Sequence, residues 1–407
     1  MSPTSDHTTN PLSTSVQEDA LKVLFVTTWF PTEEQPGSGP FVLEQAKAVQ
    51  QQGATVKILQ IRPIAHTTLY HTRYHHRWMG DIEVISVFLE SRFSKLLHFA
   101  YPMMTRAAWA GYTQHFSDFE PDVIHAQVIY PAGFVAHWMA QQWNIPLHIS
   151  EHWSKSPDFL RRLVMGQKAL QVYKSAFCVY PVSAWLRSAL QAARGDIFYT
   201  DVIPNVVDPD MFAPRSGKPT REDDEPLQLL CVMSFEHQFK RPDLIFDALQ
   251  SMPPEEQARY QIRCIGSGQQ DSALVERIAS MNLNTTITLE GSLPKPNVAE
   301  AMREADYLVH PSEKETFGLV VAEALSVGLP VICSQRGALP ELVDARHGYL
   351  VGQNDVSDWA TALRWAKQQP YNYDPLTLSS DVRQLCSPET IGKRLLRHYR
   401  HSLKHEH

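Results

Sequence analysis

Short apolar runs of strand length recur along the chain, each followed by a stretch with helical spacing of apolar residues, and this alternation restricts the fold more than any other feature. Leu21-Lys22-Val23-Leu24-Phe25-Val26-Thr27 reads as a buried strand, followed by a turn-rich loop through Pro31, Pro36, Gly37 and Gly39. A helix follows, with Phe41, Ala46 and Val49 on its apolar side and Gly53 as its C-terminal cap, before Val56-Lys57-Ile58-Leu59 opens the next strand. The same order continues through Val123-Ile124-His125, a helix around Phe134 to Trp143, Leu147-His148-Ile149 and Ala176-Phe177-Cys178-Val179. Repeated strand-helix-strand units give a parallel sheet covered by helices on both faces.

The pattern then restarts. Leu227 to Val232, Ile262 to Ile265, Thr286 to Leu289, Tyr307-Leu308-Val309 and Val331-Ile332-Cys333 read as strands of a second α/β unit. Between the halves lie Pro204-Asn205-Val206-Val207-Asp208-Pro209 and a polar stretch, Ser216 to Glu225, with the composition of an exposed connector. The expected domains are residues 20–210 and 211–387, preceded by a disordered tail at 1–19 and followed by a basic amphipathic helix at 388–407. The pattern of that last helix does not decide which domain it packs on; packing back on the N-terminal domain is one arrangement.

Composition removes several classes of function. The net charge of −7 disfavours a nucleic-acid reader, and the 16 basic against 15 acidic residues of positions 20–210 leave that half near neutral. Cys178, Cys231, Cys264, Cys333 and Cys386 are far apart and show no C-x-x-C spacing, so free thiols in a reducing cytoplasm are expected. The start of the chain carries neither a basic leader nor an apolar stretch, and the segment Leu96 to Tyr112 is too polar and short to span a bilayer. His66, His71, Arg73, His75, His76 and Arg77 read as a partly basic loop, either simply solvated or in contact with an acceptor or a lipid phosphate.

The chemistry concentrates in His310-Pro311-Ser312-Glu313-Lys314-Glu315-Thr316-Phe317-Gly318-Leu319-Val320-Val321-Ala322-Glu323, which leaves a strand and opens a helix. Seven residues separate Glu315 from Glu323, so with Glu315 just before the helix Glu323 lies about two turns further on. A helix start presents free backbone N–H groups and a positive dipole end, which suits a diphosphate, and Gly318 lets that backbone come close. On spacing alone, Glu315 would merely assist the helix start and Glu323 would be a solvated acid.

With the Gly328-Leu329-Pro330-Val331 turn that follows, this block resembles the family-4 retaining glycosyltransferases, whose signature is Glu, Phe-Gly and a second Glu in E-x7-E spacing. The resemblance implies an α/β GT-B fold of two Rossmann-like doubly wound domains facing across a cleft. It also implies transfer of a hexosyl or N-acetylhexosaminyl group from a nucleotide diphosphate sugar to a saccharide or lipid-linked saccharide, in cell-surface polysaccharide or glycoconjugate synthesis. Carried over, Glu315 binds donor-sugar hydroxyls, the backbone of Thr316, Phe317, Gly318 and Leu319 approaches sugar and diphosphate, and Glu323 binds the ribose. Trp29-Phe30-Pro31 with Gly37-Ser38-Gly39 looks like the donor loop, and His125, Glu151 and His152 lie at acceptor-side strand ends, His152 also being a candidate hydrogen-bond donor in catalysis.

Two departures qualify the match. The interdomain motif usually has Gly after Asn, where Val206 stands here, and the Arg expected after the first strand of the second domain is replaced by about Ser234. Lys240 matches the family's lysine as a catalytic and diphosphate-binding cation, with Arg241 the neighbouring candidate. Gly266 follows a strand and would lie near donor phosphate, but Asp271 occupies the third position of a dinucleotide fingerprint. Asp208-Pro209-Asp210 lies in the interdomain segment, so no metal is expected and the leaving diphosphate is to be met by cations and helix ends. The resemblance further suggests a cytoplasmic protein, with peripheral contact at the inner face of the plasma membrane compatible with a lipid-linked acceptor. A sugar-nucleotide epimerase and a non-catalytic sugar-nucleotide or polysaccharide-binding partner are the alternatives.

Overall fold

The computed structural model describes residues 20–32, 37–94, 100–195, 198–217, 225–236, 238–369 and 373–404. The tail at 1–19, residues 95–99 of the apolar segment and most of the polar connector, 218–224, lie outside the described residues.

The first sheet is built from β1 (Lys22–Thr27), β2 (Thr55–Ala65), β3 (His71–Met79), β4 (Ile82–Ser91), β5 (Val123–Gln127), β6 (Leu147–Glu151) and β7 (Cys178–Pro181), in the order β3-β4-β2-β1-β5-β6-β7. The second comprises β8 (Leu227–Val232), β9 (Tyr260–Ile265), β10 (Ile287–Gly291), β11 (Tyr307–His310), β12 (Val331–Ser334) and β13 (Gly348–Val351), in the order β10-β9-β8-β11-β12-β13. All pairings are parallel except β3 with β4. Strand order reverses at β1, between β2 and β5, and again at β8, between β9 and β11. Loops leaving adjacent strands at such a reversal splay to opposite faces, and the crevice between them is where open α/β sheets take ligands.

The structure corrects the reading of His71 to Arg77 as a loop. These residues form β3, the antiparallel edge strand, with Arg73 bonded to Glu90 at 2.7 Å and His76 to Glu83 at 2.8 Å. Its charged and imidazole side chains suit an edge, where they discourage pairing with another chain.

The chain passes between the domains twice. Val207 N–H donates to the Cys386 carbonyl at 2.9 Å, tying the two crossings together. Val206, where the family has Gly, is buried with Ile203, Val42 and Ile391, so its side chain completes an apolar cluster. After the second crossing, the helix Pro388–Ser402, capped by Ser387, lies on the helix Pro40–Gln50 of the first domain. Tyr399 hydroxyl meets His125 Nδ1, Ser402 Oγ meets His148 Nε2 at 3.0 Å, and Arg394 binds Asp201 at 3.0 Å. Gly392 permits the contact, because a Cβ there would stand 2.1 Å from the Ala48 carbonyl oxygen. Gly392→Val is therefore expected to lower stability by about 3 kcal/mol, read as a fall in denaturation midpoint.

Candidate active site

The second domain's site is assembled where β8 and β11 diverge. The segment 311–318 leaves β11, and Gly318, with φ 90°, ends it as the N-cap of the helix Leu319–Ser326. Only glycine takes that conformation without strain, and Phe317 beside it is buried. Glu323 is then just over one turn into the helix, rather than two, because residues 316–318 are turn and not helix.

Glu315 is nearly enclosed. Its carboxylate is met by Lys240 Nζ and, at 2.9 Å, by His310 Nε2. Burial by itself would raise the carboxyl, but the Lys240 charge and the two hydrogen bonds outweigh it and hold Glu315 well below the ordinary carboxylate range. Lys240 is brought there by the turn Gln238–Lys240, which is pinned by Glu313 N–H donating to the Phe239 carbonyl at 2.7 Å. An ammonium has three donors, and Glu315 takes one.

Glu323 is 6 % exposed, and the nearest cation is Lys295 Nζ at 3.8 Å. Burial pushes its carboxyl up to about 7; Lys295 opposes this and Glu44, facing it from the first domain, adds to it. Lys295 was not among the sequence candidates. Its only signal is the Pro294-Lys295-Pro296 start of the helix Lys295–Glu304, a common helix opening with no chemistry of its own.

Arg241 does not reach toward Glu315. Its guanidinium is forked on the Asp243 carboxylate at 3.0 to 3.1 Å, with Glu313 3.7 Å away. Gly266 and Gly268 let the loops after β8 and β9 touch: a Cβ would stand 1.8 Å from the Met233 carbonyl oxygen at Gly266 and 2.3 Å from backbone at Gly268. Gly266 thus faces the Met233 backbone, where no side chain would fit.

In the first domain, Gly39, with φ 61°, brings the start of the helix Pro40–Gln50 against the Trp29 backbone; a Cβ would be 2.4 Å from its carbonyl oxygen. His152 follows β6 and stacks on Phe41 at 4.2 Å, while its Nε2 and Gln127 Oε1 are 2.9 Å apart. Burial pushes His152 down to about 3, so the ring is neutral near pH 7. Asn205 stands close enough to favour the charged ring, yet His152 Nδ1 and Asn205 Oδ1 are both buried without a hydrogen bond among the described residues.

The other two acceptor-side candidates are corrected. His125 is fully enclosed, its two nitrogens occupied by Tyr399 and, at 2.9 Å, by Ser150 Oγ, so it has no atom to offer a ligand. Glu151 is equally enclosed and accepts from Tyr173 hydroxyl at 2.6 Å, Trp153 N–H at 2.8 Å and Ile129 N–H at 3.1 Å. Burial nonetheless pushes its carboxyl up to about 7. Its bonds shape the loops after β5 and β6 around a cavity of about 560 Å³ lined by Trp29, Arg62, Tyr130, Trp153, Phe159 and Arg162. Aromatic faces beside polar tips are suited to sugar rings. Sequence reasoning reached Trp29 but not the rest of this lining, which comes from separate loops.

Among the described residues no cluster of His, Cys, Asp and Glu could hold a metal ion, and no helix is long and apolar enough to cross a membrane.

Two Rossmann-like domains whose strand-reversal crevices face one another define the GT-B class of glycosyltransferases. The chain belongs to family 4 of that class. A profile described as "Glycosyl transferase 4-like domain" matches residues 36–206 and one described as "Glycosyl transferases group 1" matches residues 214–377. The D-inositol 3-phosphate glycosyltransferase of Stackebrandtia nassauensis is 27% identical over 370 residues, covering 81% of this chain and 80% of that one. The sulfoquinovosyl transferase of Arabidopsis thaliana is 25% identical over 60% of this chain and 50% of its own. Among solved structures, sucrose-phosphate synthase from Thermosynechococcus elongatus superposes with TM-score 0.73 at 19% identity, over 94% of this chain and 98% of that one. The Anabaena protein HepE, solved with UDP and glucose, gives 0.69 at 19%, over 93% and 98%.

Proposed function

We propose that this glycosyltransferase moves a hexosyl or N-acetylhexosaminyl group, with retention of anomeric configuration, from a nucleoside diphosphate sugar to a saccharide or lipid-linked saccharide. The observation that carries the reading is the Glu315 carboxylate, kept ionised by Lys240 and His310 beside the Gly318 helix start, with Glu323 in reach on the same helix. In this reading Glu315 accepts from donor-sugar hydroxyls, and Glu323 from the ribose. Lys240, using its remaining donors, and the backbone N–H groups at the helix start meet the diphosphate as it leaves. Lys240 and the helix end supply positive charge without a metal. The UDP bound in the HepE structure supports a nucleotide donor.

The acceptor enters the cavity of the first domain and its hydroxyl attacks on the face the diphosphate leaves, with neutral His152 directly after β6. Arg162 and Met165 line that cavity, and Leu163 and Val164 between them are 86% and 66% exposed. Apolar side chains beside Arg161 and Arg162 at the cavity rim favour an acceptor presented by a lipid at the inner face of a membrane. The five buried free cysteines fit a reducing compartment.

A thermal-shift screen of nucleotide sugars in EDTA tests the donor assignment. One uridine, guanosine or adenosine diphosphate sugar is expected to raise the denaturation midpoint dose-dependently, and Glu323→Ala to weaken the shift. Transfer to free and lipid-linked acceptors, with the product anomer read by NMR, then follows. Donor binding without transfer or hydrolysis would favour the non-catalytic reading, which the Ser234 position and the engagement of Arg241 by Asp243 make the second candidate.

A further inference from the structure

One carboxylate spans the domains away from the residues assigned above. Glu341, on the short helix Leu339–Leu342 of the second domain, accepts from the Ala184 N–H at 2.8 Å and the Trp185 N–H at 2.6 Å. These are the first two residues of the helix Ala184–Arg194 in the first domain, whose N-cap Ser183 serves the Leu186 N–H at 3.0 Å. The carboxylate therefore takes two donors that the helix itself leaves unpaired, at the end where its dipole favours negative charge.

The other side of Glu341 is tied to the loop that carries Glu315. Ala338 N–H donates to the Glu315 carbonyl at 3.0 Å, and Glu341 N–H donates to the Ala338 carbonyl at 3.0 Å. Gly337, with φ 59°, allows that approach, since a Cβ there would lie 2.2 Å from the Glu315 carbonyl oxygen. Leu339 is fully buried and abuts Gly318. A shift of the 315–318 loop is thus passed through backbone contacts to Glu341.

We propose that Glu341 is a positioning residue, a latch that closes the second domain on the helix Ala184–Arg194 and senses the state of the Glu315 loop. The sensing half rests on the reading of that loop as the donor site; the latch half does not. Donor seated against residues 315–318 fixes the Gly337–Ala338 backbone and presents Glu341 to the two N–H groups, so closure and donor binding favour each other. The carboxylate is exposed to solvent, so the latch is weak enough to release in each cycle.

Two variants test it from opposite sides. Glu341→Ala removes the acceptor. Ala184→Pro removes one donor at the first helical position, where proline suits the helix and Ser183 is already extended, with φ −154° and ψ 161°. Small-angle scattering without donor should show both variants more extended than wild type, and Glu341→Gln, which keeps one acceptor oxygen, in between. In turnover, donor KM should rise about five-fold in both, with kcat changed less than two-fold, the loss being one or two exposed charge-assisted hydrogen bonds. Unchanged scattering in both variants overturns the latch whether or not a donor is found. Extended variants with an unchanged donor KM overturn its coupling to the loop. A wild type that binds no nucleotide sugar overturns the donor-site reading and the coupling with it, and leaves the latch to the scattering result.

Discussion

Glu315→Gln is expected to lower kcat for sugar transfer by about a thousand-fold, the scale seen when a preorganised charged or polar group is taken from a transition state, while the fold and the affinity for the free nucleoside diphosphate survive. The wild-type carboxylate is held by Lys240 and His310, and their pull overcomes the burial that would otherwise protonate it. Glutamine keeps the volume but removes the charge that orders the sugar. It also releases the Lys240 ammonium, whose side chain is 18% exposed, to pair with the diphosphate instead. Turnover should therefore collapse without a matching loss of diphosphate affinity, a split read by steady-state kinetics beside calorimetry. Because the Glu315 carboxyl is depressed on folding, its stabilisation is in full force above the ordinary glutamate pKa and is lost as pH falls below it. The wild type should accordingly lose more stability than Glu315→Gln on acidification below about pH 4. Glu315→Ala, which strands Lys240, should cost about 3 kcal/mol of stability near neutral pH. Wild-type turnover in Glu315→Gln would reduce the residue to an ion-pair partner.

The alternation of apolar runs was enough to place two parallel sheets, because strands buried on both faces read as unbroken apolar stretches such as Leu24-Phe25-Val26 and Leu229-Leu230-Cys231. It was blind to β3, whose edge-strand sequence is mostly polar, and it left out β4, although that strand is a long apolar run, and β13, only four residues long. In the site, Glu315 and Glu323 were legible because one loop and one helix carry both. His125 and Glu151 sit at the expected strand ends, but sequence position does not reveal which way a strand-end side chain is enclosed. Tyr399, which occupies His125, comes from 274 residues away. The cavity wall at Trp153, Phe159 and Arg162, the Lys295 near Glu323 and the Glu341 contact are likewise products of the topology, which brings separate loops together at the strand reversals.

Glu323→Gln should make the protein more stable at pH 8 and a poorer donor binder, an opposition expected of a buried acid kept for its ligand. Its carboxyl goes from 4.5, the ordinary value, to about 7 on folding, chiefly through burial. The folded state therefore holds a proton that the unfolded chain has released, and stability falls as pH rises between those values. Above pH 7 the shift corresponds to about 3 kcal/mol, and at pH 5 to less than about 1 kcal/mol. Glutamine, which carries no charge to desolvate, should recover most of the larger figure at pH 8 and little at pH 5 in denaturant titrations. The ligand side has the opposite sign. Ribose hydroxyls donate to an ionised carboxylate, so donor binding near pH 6 must expel a proton, and the diphosphate of a nucleotide sugar has none to gain in this range. Wild-type donor affinity should then rise about 25-fold from pH 5.5 to 7.5, following the ionisation of a group near 7. The Glu323→Gln variant should bind more weakly at pH 7.5 and show a flat profile. Calorimetry in two buffers of different ionisation enthalpy would count the proton directly. Equal slopes in wild type and variant would mean that Glu323 keeps its proton in the complex and does not set the pH dependence of donor binding.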